Sequence, residues 1–264
     1  MNGEKETDSC IAENLRRVRN AIQAACERSG RRAEDVTLIA VSKTKPFSDI
    51  LAARAAGAVH FGENYVQELM QKIELNESLP EAETIRWHMI GHLQKNKVKN
   101  LIGRTVLIHS VDSVALAQQI EKEAARKEQT VRILLEVNAA REESKWGFAP
   151  EETEQAARDI SALPHIRVLG LMTSAPYTEN PESNRIHFRN LNALARELAE
   201  KKLITVSDLD FPGPVLSMGM TGDYEVAVEE GATLVRVGTA VFGRRDYEAT
   251  LPELSDTIRK LRKT

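Results

Sequence analysis

The strongest constraint in this chain is an alternation: eight short apolar runs, each separated from the next by a stretch with helical periodicity. The runs read VTLIAVSK, VHFGE, RWHMIG, VLIHSV, RILLEVN, VLGLMTS, VLSMGM and TLVRVGTAVFG. Between and before them, residues 14–28, 48–56, 113–127, 151–161, 184–200 and 224–230 read as helices, with two more beginning near Tyr65 and over LQKNKVKNL. In the first of these, Leu15, Val18, Ile22, Ala25 and Cys26 share one face. Strands that alternate with helices pair in parallel through right-handed crossovers, since the twist of a strand lets the helix pack back only that way. Eight such units close into a barrel or open into a doubly wound sheet. No glycine-rich dinucleotide turn follows the first strand, and chemically capable residues end many strands instead of clustering at one switch point. The expectation is an α/β fold, a single (β/α)₈ TIM barrel with an extra N-terminal helix and a C-terminal helix ending in IRKLRKT. It forms one domain over residues 1–264, with residues 1–10 as a flexible N-terminus.

Composition narrows the function classes. A net charge of -3 over 264 residues gives no general attraction to nucleic acid or to an anionic membrane. The first nine residues are polar and lack the apolar core of a signal peptide. No apolar run approaches the roughly 18 residues that a membrane span requires, so a cytoplasmic protein is expected. The two cysteines, Cys10 and Cys26, flank a helical stretch that would hold them roughly 24 Å apart. A disulfide needs Cα atoms within about 7 Å, so both thiols are expected to be unpaired.

Lys43 is the first candidate for chemistry. Period-two alternation in VTLIAVSK puts Thr37, Ile39, Val41 and Lys43 on one face, with the lysine at the carboxyl end of the strand, where barrel enzymes keep their sites. An amine at the rim of a partly apolar cavity loses solvation and becomes a carbonyl nucleophile. Lys45 competes with it, although Pro46 marks that the chain has already entered a loop.

Near the other end, Ser217-Met218-Gly219-Met220-Thr221-Gly222-Asp223 joins the seventh strand to a helix. Small residues permit close backbone approach and hydroxyls can donate, which is the chemistry of a phosphate cradle. Arg236-Val237-Gly238-Thr239 offers a second glycine–hydroxyl turn after the eighth strand, and barrel phosphate sites are frequently built from those two loops. Either loop alone is equally a turn and an N-cap. Together, facing a strand-one lysine, they point to a phosphorylated aldehyde.

The strings AVSKTKP, FGENYVQE, WHMIGHLQKNK, KWGFAP, GLMTSAP, LSMGMTGD and VRVGTAVFG, in this order from about Ile11 to Gly243, resemble the pyridoxal phosphate homeostasis (PLP-binding) protein family. The resemblance implies a barrel of the alanine-racemase type and pyridoxal 5′-phosphate as cofactor, carried as a Schiff base on Lys43, the first lysine of SKTKP. It further implies that Asn64 and Met172 line the cofactor pocket, that Met218 contributes to cofactor binding, and that Ser217, Gly219, Gly238 and Thr239 hold the phosphate. Arg236 would approach the ring or brace the phosphate. His88 resembles a position facing the cofactor, and is equally readable as a satisfied interior histidine. Thr221 stands where many relatives have serine, which keeps a hydroxyl; Ser174 often corresponds to a more apolar residue. Lys95, Lys97 and Lys99 form either a solvated face or a second phosphate or partner site, and Lys145 matches a position near the barrel mouth.

Catalysis by this cofactor needs an electron sink tuned at the pyridine nitrogen, and no carboxylate of the strand-seven or strand-eight motifs is placed to do so. Racemization also needs a second acid/base, which in the related racemases comes from an additional β domain and the partner subunit. Only about twenty residues follow Phe242. The expectation is therefore a monomeric, non-catalytic pyridoxal 5′-phosphate carrier, with apo PLP-dependent enzymes as possible recipients. An amino-acid racemase of unknown substrate is the alternative, and a cofactor-free Schiff-base aldolase the more distant one.

Overall fold

The computed structural model describes residues 2–142 and 145–244; the expected C-terminal helix lies outside them. Strands β1 (Thr37–Val41), β2 (His60–Glu63), β3 (Arg86–Met89), β4 (Leu107–Val111), β5 (Val131–Glu136), β6 (Ile166–Met172), β7 (Val215–Ser217) and β8 (Leu234–Val237) fall within the eight apolar runs or overlap them. All pair in parallel, and β8 returns to β1 to close the ring. The barrel expected from the alternation is the fold observed.

Two apolar layers follow from the period-two alternation of the strands. Ile39, Leu107, Leu134, Leu169, Met172, Val215 and Leu234 fill the interior together with Phe211. Their neighbours in sequence, such as Ala40, Ile108, Leu135 and Val235, face outward into the larger layer beneath the helices. Those helices are α2 (Phe47–Ala55), α3 (Val66–Glu77), α4 (Val114–Arg126), α5 (Thr153–Ser161), α6 (Arg185–Glu200), α7 (Tyr224–Glu229) and the short α8 (Thr239–Phe242), preceded by the extra helix α1 (Asn2–Arg28). Every residue of the stripe expected on α1, from Leu15 to Cys26, is buried. Polar ties hold that helix in place: Arg19 donates to Ala56 O and Gly57 O, and Arg28 pairs with Glu225 and Glu229. Cys10 and Cys26 are both free thiols.

One expected α-helix takes another form. Within LQKNKVKNL only Lys95–Asn100 is helical, as a 3₁₀ helix. A period of three aligns residues i and i+3, which puts Val98 and Leu101, both fully buried, on the same side. At the amino-terminal end of the barrel, the segment after α6 folds back through a bridge between Ser207 and Pro212. Asp208 and Asp210 pair there with Arg132 and Arg86. No helix among the described residues is long and apolar enough to cross a membrane.

Candidate functional site

At the carboxyl ends of the strands the barrel opens into a cavity of about 700 Å³, within the range of small-molecule sites. Its wall is assembled from six strand ends. β1 contributes Val41 and Lys43, β2 leads to Asn64, and β3 leads to Ile90. The loop after β6 adds residues 174–178, the loop after β7 adds Met220, Thr221, Gly222 and Asp223, and β8 adds Arg236, Gly238 and Thr239. Lys145 closes one side and donates to Ser174 O.

Lys43 is half-buried, and its two sequence neighbours are clamped from behind. Ser42 Oγ donates to Glu63 Oε1 at 2.6 Å, and Lys72 Nζ donates to Ser42 O, Glu63 Oε1 and Glu68 Oε1, each at 2.7 Å. Glu68 Oε1 also accepts from the backbone N–H of Thr44, which sits at φ +63°. A β-branched residue in the left-handed region is strained, and such strain persists only where the surroundings over-determine it. Here a buried ion cluster does so, setting the direction in which the chain leaves β1. Burial pushes the Glu63 carboxyl up to about 7 despite Lys72 beside it. Lys45, by contrast, is turned away: its Nζ donates to Phe242 O at 2.8 Å and Arg244 O at 3.1 Å.

Arg236 is 5% exposed and stands at the cavity floor. It donates to Ser217 Oγ at 2.7 Å and to Thr173 O at 2.8 Å. Desolvation lowers its pKa to about 10, countered by Glu136 and Asp223. Glu136, on β5, is pushed up to about 7 by burial and by Asp112, against the pull of Arg236. In the β7 loop, Asp223 accepts from Met220 N and Asn184 Nδ2. The loops after β7 and β8 touch at Thr221 Oγ1, which accepts from Ala240 N at 3.5 Å.

The cavity thus brings together Lys43, Asn64, Arg236, Gly238 and Thr239 of the expected residues. Ser217, Met172, Met218, Gly219 and His88 stand outside its wall. Ser217 is fully buried beneath Arg236. Met172 belongs to the interior apolar layer, and Met218 to the outer one. Gly219 has φ +89°, and a Cβ there would lie 2.6 Å from Ala227 Cβ and 2.9 Å from Tyr224 Cα. It holds the β7 loop against α7, while its carbonyl accepts from Arg236 N. His88 is fully buried in the barrel between His60 and His109. Lys95 and Lys145 border a neighbouring cavity, where the His92 and Trp146 rings stack at 4.1 Å; Lys97 and Lys99 do not line it. Reasoning from sequence missed Glu63, Glu68 and Lys72, which lie in different segments, and Glu136, His60 and His109. The inward parity of Glu136 in RILLEVN was the one available signal for that residue. No group of three or more side chains suited to a metal ion occurs among the described residues.

Comparison with known proteins places this geometry. Residues 12–246 match the family model for the alanine racemase N-terminal domain. The pyridoxal phosphate homeostasis protein of Aquifex aeolicus (strain VF5) is 45% identical over 235 residues, covering 89% of this chain and 98% of that relative. Among solved structures, a protein of Bifidobacterium adolescentis described as unknown superposes with a TM-score of 0.80 at 36% identity, over 90% of this chain and 96% of the other. PipY of Synechococcus elongatus PCC7942, solved with PLP bound, superposes with a TM-score of 0.74 at 33% identity, over 88% of this chain and all of that one. This chain belongs to the pyridoxal phosphate homeostasis protein family, within the wider group of alanine racemase N-terminal-domain barrels.

Proposed function

We propose that this chain binds pyridoxal 5′-phosphate in the cavity at the barrel mouth, holds it as a Schiff base on Lys43 and releases it without turning over amino acids. The observation that carries this reading is the convergence of Lys43 at the end of the first strand, one buried guanidinium and two glycine–hydroxyl loops on a single cavity. That donor set fits the cofactor, which supplies an aldehyde for amine capture and a phosphate for anchoring. Lys43 provides the amine, which condenses with the aldehyde with loss of one water. Thr221, Gly222, Gly238 and Thr239 are the residues to hold the phosphate, tied together through Thr221 Oγ1. The PLP-bound structure of PipY supports the reading from a relative.

Two observations favour storage over catalysis. The cation at the cavity floor is Arg236, and a guanidinium set against the pyridine nitrogen would leave it unprotonated, a shallower electron sink than a carboxylate would give. Asp223, the acidic residue of the described lining, is engaged with Met220 N and Asn184 Nδ2. The same reading takes the protein as a cytoplasmic monomer that hands its cofactor to apo PLP-dependent enzymes. The test is a titration of wild type and Lys43→Ala with pyridoxal 5′-phosphate, followed by visible absorbance, and then a panel of deuterium-exchange assays with amino acids. A visible band in wild type alone, with amino-acid α-protons retained, supports the carrier. Rapid α-proton exchange makes the protein a racemase-like enzyme, and no band in wild type refutes cofactor capture.

A further inference from the structure

The barrel interior carries three histidines where such barrels are usually filled by branched apolar side chains. They form one continuous line. His60 Nδ1 lies 2.9 Å from His88 Nε2, His88 Nδ1 lies 2.9 Å from His109 Nε2, and His109 Nδ1 lies 2.8 Å from Ser217 Oγ. Arg236 completes it with its bond to that same oxygen. Strand register explains the climb. His88 pairs with Gly62, two residues above His60, and Leu107 pairs with His88, two residues below His109. The stagger of the closed barrel therefore raises each ring by one interior layer per strand, from the amino-terminal end toward the cavity.

The direction of these bonds is decided at the top. A guanidinium only donates, so Ser217 Oγ is its acceptor. No other acceptor stands at that hydroxyl among the described residues, so the serine proton goes to His109 Nδ1. His109 then carries its proton on Nε2 and donates to His88 Nδ1, and His88 likewise donates from Nε2 to His60 Nδ1. His60 is left with an Nε2–H tautomer at the lower end, beside Phe211. The reverse order would aim two donors at Ser217 Oγ and leave its own proton buried without a partner, a costly arrangement.

We propose that His60, His88 and His109 are positioning residues for Arg236: a single-polarity column of Nε2–H imidazoles that commits Ser217 as an acceptor and so fixes the guanidinium at the cavity floor. The column spans the barrel, so a change at Arg236 is read as a change of tautomer at His60, on the opposite end of the molecule. This follows from the unliganded geometry and does not depend on which ligand the cavity takes.

The experiment is long-range ¹H–¹⁵N NMR of the histidine rings in the ligand-free protein, which reports the tautomer of each ring directly. Wild type is expected to show the Nε2–H form at all three positions. Ser217→Ala removes the donor to His109, and Arg236→Met removes the group that orients Ser217; thermal melts confirm that each variant is folded. In both, the tautomers of His109, His88 and His60 are expected to become mixed or to reverse. Ser217→Ala keeps the test decisive if Arg236→Met fails to fold. Mixed or Nδ1–H rings in wild type would overturn the proposal. So would a change confined to His109, or no change at all, since rings that merely fill the core have no reason to respond together.

Discussion

Lys43 was legible because its position depends only on strand parity and on the end of the strand at which it falls. What holds it was not. The cluster of Glu63, Glu68 and Lys72 draws on β2 and α3, and only the closed barrel brings it beneath Ser42 and Thr44. Removing one member of a buried ion cluster leaves a charge uncompensated, at a cost of about 3–5 kcal/mol. Lys72→Met is expected to lose stability of that order in urea unfolding, and Glu63→Gln added to it to recover part of the loss. Glu136 adds a pH signature. Its carboxyl is raised from 4.5 to about 7, so the folded state binds that proton more tightly, and its stabilising contribution declines as pH rises through this window. The interior histidines, whose burial lowers their pKa values, act in the opposite direction. The informative quantity is therefore the difference between Glu136→Gln and wild type. It is expected to move in favour of the variant between pH 4.5 and 7, measured by denaturant unfolding at several pH values; a flat difference would contradict the burial of that carboxyl.

At the scale of elements, apolar runs and helical stripes located all eight strands and most helices, because burial on one face dictates the spacing. Local polar geometry was less readable. The segment 95–101 carries only two apolar residues, so its tighter helix is set by the need of both, Val98 and the capping Leu101, to reach the core. The β7 loop read as a phosphate cradle from its small residues, yet Gly219 serves packing against α7, while Thr221 and Gly222 reach the cavity. Gly219→Ala combines a left-handed backbone with a Cβ too close to Ala227 and Tyr224, and is expected to cost about 1–3 kcal/mol. It should also weaken cofactor retention, measured by equilibrium dialysis alongside a thermal melt. An unchanged melt would show that the loop relaxes without cost.

For the whole molecule, closure of the barrel turns dispersed residues into a site: Lys43, just past the first strand, shares a cavity with Arg236 on the last because β1 pairs with β8. Closure also gives the interior its staggered layers, and with them the histidine column. Neither the stagger nor the column can be read from a list of strands, since both depend on register across the β2–β3 and β3–β4 pairings. A ligand that binds only the folded barrel stabilises it by mass action, by about 2.7 kcal/mol at a concentration one hundred times its dissociation constant. Pyridoxal 5′-phosphate is accordingly expected to raise the melting temperature of wild type, and to raise that of Lys43→Ala less.

The central claim is covalent capture of the cofactor by Lys43, and the most direct measurement is borohydride reduction of the protein with pyridoxal 5′-phosphate, followed by mass spectrometry of its proteolytic peptides. The account predicts a single reduced adduct on the peptide containing Lys43, absent from Lys43→Ala. An adduct on Lys45 or Lys145 with Lys43 unmodified, or no adduct on any lysine, would contradict it.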